Sequence, residues 1–454
     1  MSHESDLAFD IYDAAVAAAA PAAQVAAAVA KLPLAQKRAV WIFAIGKAAH
    51  GMAAGAVEGL RGLMVPLAGG LVVAPTPAPS PHSALEVMVG EHPVPGRGSF
   101  AAAQRLGALA QGMRSTDAVI VLVSGGATSL VAAPVRDVAE AELTDLFQRL
   151  LARGLPIAEM NAIRKRFSRW GGGRLAVAVA PASTYCIAVS DVVGDAIEAI
   201  GSGPCSPDAY TATDVQGMLQ RAGLYAHLPA SMRKVLELTP RALYAETPKP
   251  RHPAFAHVRS QVVLTNRDAV EGAAAHARAA GYDTEIIGEP LTGEAALQGV
   301  RIARDLMERR RALAPGQRLC VVSGGETTVT LAPAAIPHDR KGRPLPPPPP
   351  GSPAGGRCQE LALAAARALH DAGDDAQGIS LLAAGTDGRD GPTDAAGAFV
   401  DRGTWNAIAE SGLDPARALA THDAHHALAA AGALLRPGMT GTNVMDIVVG
   451  LIEA

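Results

Sequence analysis

VIVLVSGGATS, from Val119 to Ser129, and LCVVSGGETT, from Leu319 to Thr328, place the same device at two distant points of one chain. Each is an apolar, β-branched run followed by Ser-Gly-Gly, one further residue and a threonine. Val119–Val123 shows no apolar–polar alternation, so it reads as a strand buried on both faces, as central parallel strands are. Two successive glycines turn the chain sharply and let another group approach the backbone. The threonines suit a helix start, where free N–H groups and the helix dipole favour an anion. Two copies imply two α/β units. Each would carry a candidate phosphate or carboxylate cradle: Ser124, Gly125 and Gly126 in one, Ser323, Gly324, Gly325 and Glu326 in the other. The alternative at either place is an ordinary tight turn. Neither stretch is a Walker A loop, which would need Gly-x-x-x-x-Gly-Lys-Ser/Thr.

A chain of 454 residues exceeds one compact core, so two domains are expected. The composition is 49% hydrophobic and 18% charged, which is globular, and a formal net charge of −3 gives no electrostatic case for nucleic acid. Cys186, Cys205, Cys320 and Cys358 are scattered without metal-ligand spacing and read as reduced thiols of a cytoplasmic protein. The start, Met-Ser-His-Glu-Ser-Asp, lacks the basic region of a signal peptide. The Ala-rich stretch after it is interrupted by Asp10, Asp13 and Pro21, and no membrane span is expected.

Outward from Val119–Val123, apolar runs at Ala39–Ile45, Leu71–Ala74 and Tyr185–Val189 alternate with Ala/Leu-rich helical segments, the pattern of a doubly wound parallel sheet. Residues 236–253, rich in Pro, Arg and Thr, suggest a linker. A second alternation has strands at Ser260–Leu264, Thr284–Ile287, Leu319–Val322 and Ile379–Ala383. The domains are therefore drawn at 1–245 and 246–454. Five prolines, Pro346–Pro350, with Gly-rich flanks predict an extended surface loop before Arg357.

The chemistry-bearing residues sit at strand ends. Lys47, after the strand-ending Gly46, is placed to neutralise a phosphate as a point charge. Ser190-Asp191-Val192-Val193-Gly194-Asp195 brings two carboxylates to the end of another strand; Asp191 and Asp195 suit Mg²⁺, or one of them a base toward a hydroxyl, or Asp195 a helix cap. Gly385-Thr386-Asp387-Gly388-Arg389-Asp390-Gly391-Pro392-Thr393-Asp394 resembles a cation- or hydroxyl-binding loop, with Thr386, Asp387 and Asp394 as candidate ligands, or else an Asx-rich turn. Arg357 offers a guanidinium near a helix start, for bidentate recognition or simply to solvate it. Thr440-Gly441-Thr442-Asn443-Val444-Met445-Asp446 reads as a polar turn opening a helix, with Asn443 a candidate contact. His422, His425 and His426 have helical spacing but no matching carboxylate motif, so they read as surface histidines.

In order along the chain, FAIGKAAHGMA, EHPVPGRGS, VLVSGGATSL, MNAIRKRFSRWGGGRLA, SDVVGDAIEAIGSGPCSPD, VVSGGETTVTL, GGRCQELALAAA, AAGTDGRDGPTDAAGA and TGTNVMD resemble the glycerate 2-kinase family. Some of its members are labelled hydroxypyruvate reductase, and its C-terminal part is called the MOFRL domain, which here would span about 315–430. The resemblance covers nearly the whole chain. It implies an N-terminal Rossmann-like α/β domain and a C-terminal MOFRL-type α/β domain, with the active site in the cleft between them. The implied reaction is ATP-dependent, Mg²⁺-assisted phosphorylation of D-glycerate at its 2-hydroxyl. The family's lysine after the first strand falls on Lys47, its Ser-Asp pair on Ser190-Asp191, and its Gly-Gly-Arg arginine on Arg357. Cys358 stands where the family has Asn, and Met445 where its last motif has a second Asn.

On this reading one Ser-Gly-Gly cradle serves the nucleotide phosphates and the other the glycerate carboxylate or the transferred group, in an order left open. The partners are then small molecules, with neither nucleic acid nor a membrane, and a homodimer is left open. The rival enzyme is an NAD(P)H-dependent hydroxypyruvate reductase, which would want Gly-x-Gly-x-x-Gly after an early strand. Here that position reads Gly46-Lys47-Ala48-Ala49-His50-Gly51.

Overall fold

The computed structural model describes residues 3–330 and 355–454, except Gly154 and Pro156. The proline-rich stretch expected to form a surface loop lies outside the described residues. The chain divides into two compact units, residues 20–265 and residues 1–19 together with 266–454.

The unit 20–265 is built on six strands: β1 (Ala39–Ile45), β2 (Leu67–Ala74), β3 (Leu85–Val89), β4 (Asp117–Val123), β5 (Ser183–Val189) and β6 (Val258–Leu264). Their order is β3-β2-β1-β4-β5-β6 and every pairing is parallel. β4 is buried along its whole length, as its unalternating sequence demands. Phe43, Val73, Val121 and Val123 pack under Leu106 and Leu175 of the covering helices. The strand order reverses between β1 and β4, and in open parallel sheets ligands bind at the carboxyl ends beside such a reversal. Ile45 lies level with Val123 in the register, so Gly46 and Ser124 leave the sheet side by side.

The second unit holds β7 (Asp283–Ile286), β8 (Arg318–Gly325), β9 (Ile379–Gly385), β10 (Gly397–Asp401), β11 (Leu434–Leu435) and β12 (Asp446–Glu453), ordered β11-β10-β9-β12-β8-β7. β7 and β8 are parallel; β12 runs antiparallel between β8 and β9.

Five expectations are corrected. The division falls between Thr265 and Asn266, not at 245, and the chain crosses back, because residues 1–19 belong to the second unit. The strand at Ser260–Leu264 is the edge of the first sheet, paired with β5. Residues 236–253 are no linker: Thr247 is buried, and Asp208 N–H donates to Pro248 O at 3.0 Å within the first unit. The turn at Thr440–Asp446 opens β12 instead of a helix, and within the described residues no helix follows the second Ser-Gly-Gly directly.

Glu4–Val29 does reach the length and mean apolarity of a membrane span, against expectation. It is broken at Pro21 into the helices His3–Ala18 and Ala22–Val29, which lie in different units. The first helix is a core element: Ala8, Ile11, Tyr12 and Ala15 are fully buried. Tyr12 Oη donates to Gly385 O, at the end of β9, at 2.9 Å. That carbonyl also accepts from Gly388 N–H at 3.2 Å, so it is not orphaned when the phenol is removed. Tyr12→Phe is therefore expected to cost about 1 kcal/mol, and Tyr12→Ala about 3–5 kcal/mol through the cavity it leaves, in urea unfolding followed on the second unit. Equal, negligible changes would show that the N-terminal helix is only draped on the surface.

Candidate active site

In the unit 20–265 the candidate residues gather where β1 and β4 end. Ser124 N–H donates to Ile45 O at 3.1 Å, Lys47 N–H to Gly125 O at 2.9 Å, and Ala48 N–H to Ser124 Oγ at 3.0 Å. Gly46 has φ 133°, and a Cβ there would stand 2.1 Å from Ser124 Oγ, so only glycine lets the two loops interlock. The half-buried Lys47 is thus fixed by its own backbone against the Ser-Gly-Gly turn. The N–H groups of Gly125 and Gly126 meet no acceptor among the described residues, which leaves a pair of donors suited to an anion. The helix that follows, Ala127–Leu130, is a single turn, so the donors here are individual N–H groups rather than a long helix dipole.

At the end of β5, Ser190 is spent on its own turn: its hydroxyl donates to Val192 O at 3.2 Å and accepts from Val192 N–H at 3.3 Å. Asp191 is half-buried beside it, while Asp195 is exposed in a left-handed turn (φ 55°) and caps no helix.

The second set surrounds Asp446, which the sequence reading passed over as a site residue. The register places Asp446 at the head of β12, opposite Gly325 of β8 and Gly385 of β9, so it is buried between the ends of both neighbours. Arg357, opening the helix Arg357–Ala372, grips it with Nε to Oδ2 at 2.5 Å and Nη2 to Oδ1 at 2.8 Å, and reaches Glu326 Oε1 with Nη1 at 2.9 Å. The two carboxylates outweigh the burial that opposes charge and hold the guanidinium firmly cationic. Two of its five N–H bonds remain beyond these contacts. Cys358 is buried next to Asp446 and Asp390, and burial pushes its thiol well above the ordinary range.

The carboxylates of the aspartate-rich loop each meet a group of the protein. Asp390 is buried and accepts from the N–H groups of Cys358 (3.2 Å) and Gln359 (2.8 Å), holding the start of Arg357's helix. A Cβ on Gly356 would stand 2.2 Å from Asp390 Oδ1, which is why glycine precedes the arginine. Asp394 faces outward and pairs with Arg436 at 3.0 Å. Asp387 is buried and accepts from Arg389 N–H at 3.0 Å. Among the described residues no three His, Cys, Asp or Glu side chains gather to hold a metal ion.

Thr386 is fully buried, and its hydroxyl donates to Met445 O at 2.6 Å and accepts from Val444 N–H at 2.9 Å. It therefore ties the loop carrying the buried Asn443 instead of facing a ligand. Of the three histidines, His425 is buried on Gln359 at 2.9 Å, correcting its surface reading, while His422 meets Glu360 and His426 meets Asp423. The signal for Asp446 was one carboxylate heading the apolar run DIVVGLI; its arginine lies 89 residues earlier.

Residues 7–237 match the family described as a domain of unknown function (DUF4147), and residues 319–446 match the MOFRL family. The chain is 34% identical to D-glycerate 2-kinase of Thermotoga maritima over 91% of its length and 90% of that protein. It is 33% identical to glycerate 2-kinase of Pyrococcus horikoshii over 92% of its length and 88% of that protein. A protein of Agrobacterium vitis named as a hydroxypyruvate reductase is 36% identical over 96% of this chain and 92% of its own. The crystal structure of Thermotoga maritima glycerate kinase superposes with a TM-score of 0.75 at 34% identity, covering 98% of this chain and 99% of that one. With a shared sequence over nine-tenths of its length and a shared fold, this chain belongs to the glycerate 2-kinase family.

Proposed function

We propose that this chain phosphorylates D-glycerate at the 2-hydroxyl with ATP, giving 2-phospho-D-glycerate and ADP. The observation that carries this reading is Lys47, fixed against a Ser-Gly-Gly turn at the strand-order reversal. Phosphoryl transfer asks a protein chiefly to position its reactants and neutralise charge. A lysine with the free N–H groups of Gly125 and Gly126 beside it meets that demand. So does Arg357, whose fork is aimed by Asp446 and Glu326. Asp191 is the acidic group best suited to Mg²⁺ or to receiving the hydroxyl proton, because it stands half-buried at a strand end. Asp195 and Asp394 are exposed, and Asp394 is committed to Arg436. Mg²⁺ usually takes one or two protein carboxylates and completes its shell with water and phosphate oxygens, so the absence of a three-acid cluster does not count against it. When bound it would neutralise phosphate charge. Four free, buried cysteines suit a reducing, cytoplasmic setting.

The reductase name borne by one relative supplies the second reading. Against it, β1 runs into Gly46-Lys47-Ala48-Ala49, which lacks the glycine spacing that seats a dinucleotide pyrophosphate. Purified protein with ATP, Mg²⁺ and D-glycerate is expected to yield ADP and the 2-phosphate ester; NADH oxidation by hydroxypyruvate without ATP use would overturn the kinase reading. Lys47→Ala is expected to lower kcat/KM on the order of 10²-fold while folding is kept, the scale of losing one charge-stabilising donor. Arg357→Lys should be nearly as damaging as Arg357→Ala, since one ammonium cannot span two carboxylates in a fork. Asp191→Asn should weaken the Mg²⁺ dependence; an unchanged requirement would make Asp191 structural.

Support for Arg357 also carries a pH signature. Burial pushes the Asp390 carboxyl up to about 7, against the opposing pull of Arg357 and the two helix N–H groups. A carboxyl raised in this way keeps its proton longer in the folded chain than in the unfolded one. Its contribution to stability is full below the ordinary aspartate range and is lost as pH rises through 7. The Tm of the native protein should therefore fall between pH 5 and pH 8 relative to Asp390→Asn, in which this titration is removed; parallel curves would show that Asp390 titrates normally.

A further inference from the structure

The unit 20–265 contains a cavity of about 730 Å³ that the phosphate-handling residues do not line. That is the size range of small-molecule sites, roughly 300–1,000 Å³. Its floor is apolar, made by Ala110 at the end of the helix Arg97–Ala110, by Trp170, and by Ala178 of the helix Arg174–Val179. Its polar wall is unbalanced in charge: Arg169, Arg174 and Lys249 face Glu246. Glu246 is already claimed from behind by the fully buried Arg166, through Nη2, and by Ala212 N–H at 3.1 Å. Arg166 in turn keeps Nε and Nη1 buried without a hydrogen-bond partner, and Asp208, which does not line the cavity, keeps Oδ2 in the same condition.

Each lining cation has a distinct position. Lys249 spends Nζ on Asp208 O, Tyr210 O and Thr247 Oγ1, at 3.1, 2.5 and 2.9 Å, and contributes charge only. Arg174 is anchored by Nη1 on the carbonyls of Lys165 and Ser168 at 2.5 and 2.8 Å. Burial draws both below their ordinary ranges, Arg174 to about 10, so a nearby negative charge would relieve them. Arg169 lies at the exposed rim with its guanidinium 4.8 Å from the Trp170 ring centroid and makes no ion pair among the described residues.

We propose that this cavity binds a small organic anion with an apolar body, its acid group held by Arg169 and the field of Arg174 and Lys249, and its hydrocarbon or ring portion on the Trp170–Ala178 floor. Charge complementarity selects the acid, and the apolar floor excludes a bare inorganic ion as the preferred occupant. The site is separate from the Lys47 loops, so its occupancy and the kinase reaction can be measured independently.

The test uses 8-anilinonaphthalene-1-sulfonate as the probe, titrated into the intact protein and followed by its fluorescence. N-phenyl-1-naphthylamine, the same ring system without the sulfonate, serves as control. Saturable binding of one sulfonate probe per chain is expected, with the uncharged control at least tenfold weaker. Arg169→Glu should weaken the probe by tenfold or more, and Ala178→Trp, which fills the cavity over its apolar floor, should abolish saturable binding. Both variants should retain the circular dichroism spectrum and Tm of the native protein, which establishes that they fold. Probe binding that survives both substitutions, that is matched by the uncharged control, or that never saturates overturns the proposal.

Discussion

Two strand ends leaving a parallel sheet at the same level create a problem of space, and Ser124 resolves it. Its N–H answers the last carbonyl of β1, its hydroxyl accepts from Ala48, and the next carbonyl along accepts from Lys47. Three short contacts thus convert two loops into one body. They dictate glycine at position 46, since any side chain there would occupy the hydroxyl's place. They also determine where the lysine backbone stands and leave two amide donors unspent beside it. A lysine on an independent loop would have to be ordered for each encounter with a ligand; here that ordering is part of folding.

The second unit meets an equivalent need with charge. Asp446 is buried at the head of a central strand, where an unpaired carboxylate would be costly. Arg357 answers it from a helix start, and Asp390 in turn holds that helix start through two amide donors. The order of dependence runs from the Asp-rich loop through the helix to the arginine. Asp390 therefore acts as scaffolding for a cation, the Arg357 guanidinium. Thr386 and Gln359 extend the same logic with neutral groups, the first tying the loop before β12, the second joining Thr393 to His425.

What the sequence made legible follows the physics of each segment. β1 was readable to the residue, and β4 and β5 nearly so, because strands buried on both faces write themselves as unbroken apolar runs. β6 was found as a strand but assigned to the wrong unit, because nothing within Val258–Leu264 encodes that its neighbour is β5. β12 was hidden by its polar head, Asp446, and by Gly450 in mid-strand. Lys47 and the first Ser-Gly-Gly could be singled out because a strand running into a glycine turn is a local pattern, and the sheet register brings the two loops together. Asp446 was not, since its significance depends on an arginine brought from another element by the sheet. The histidines misled for the same reason: helical spacing describes a face, and only packing reveals that His425 is turned inward.

The crossing-back of the N-terminal helix bears on how the chain is made. Residues 3–18 are synthesised before the unit 20–265, yet the unit they complete begins again only at Asn266. At roughly 5–20 residues per second, on the order of tens of seconds separate the helix from its partners. All of the unit 20–265 emerges in that interval, with its sheet and its interlocked loops entirely its own. A nascent apolar helix, with the buried face of Ile11 and Tyr12 uncovered, must wait while a complete neighbour folds downstream of it. The topology thus gives the growing chain an interval, no shorter than the time of translation, in which that apolar face lacks its partners.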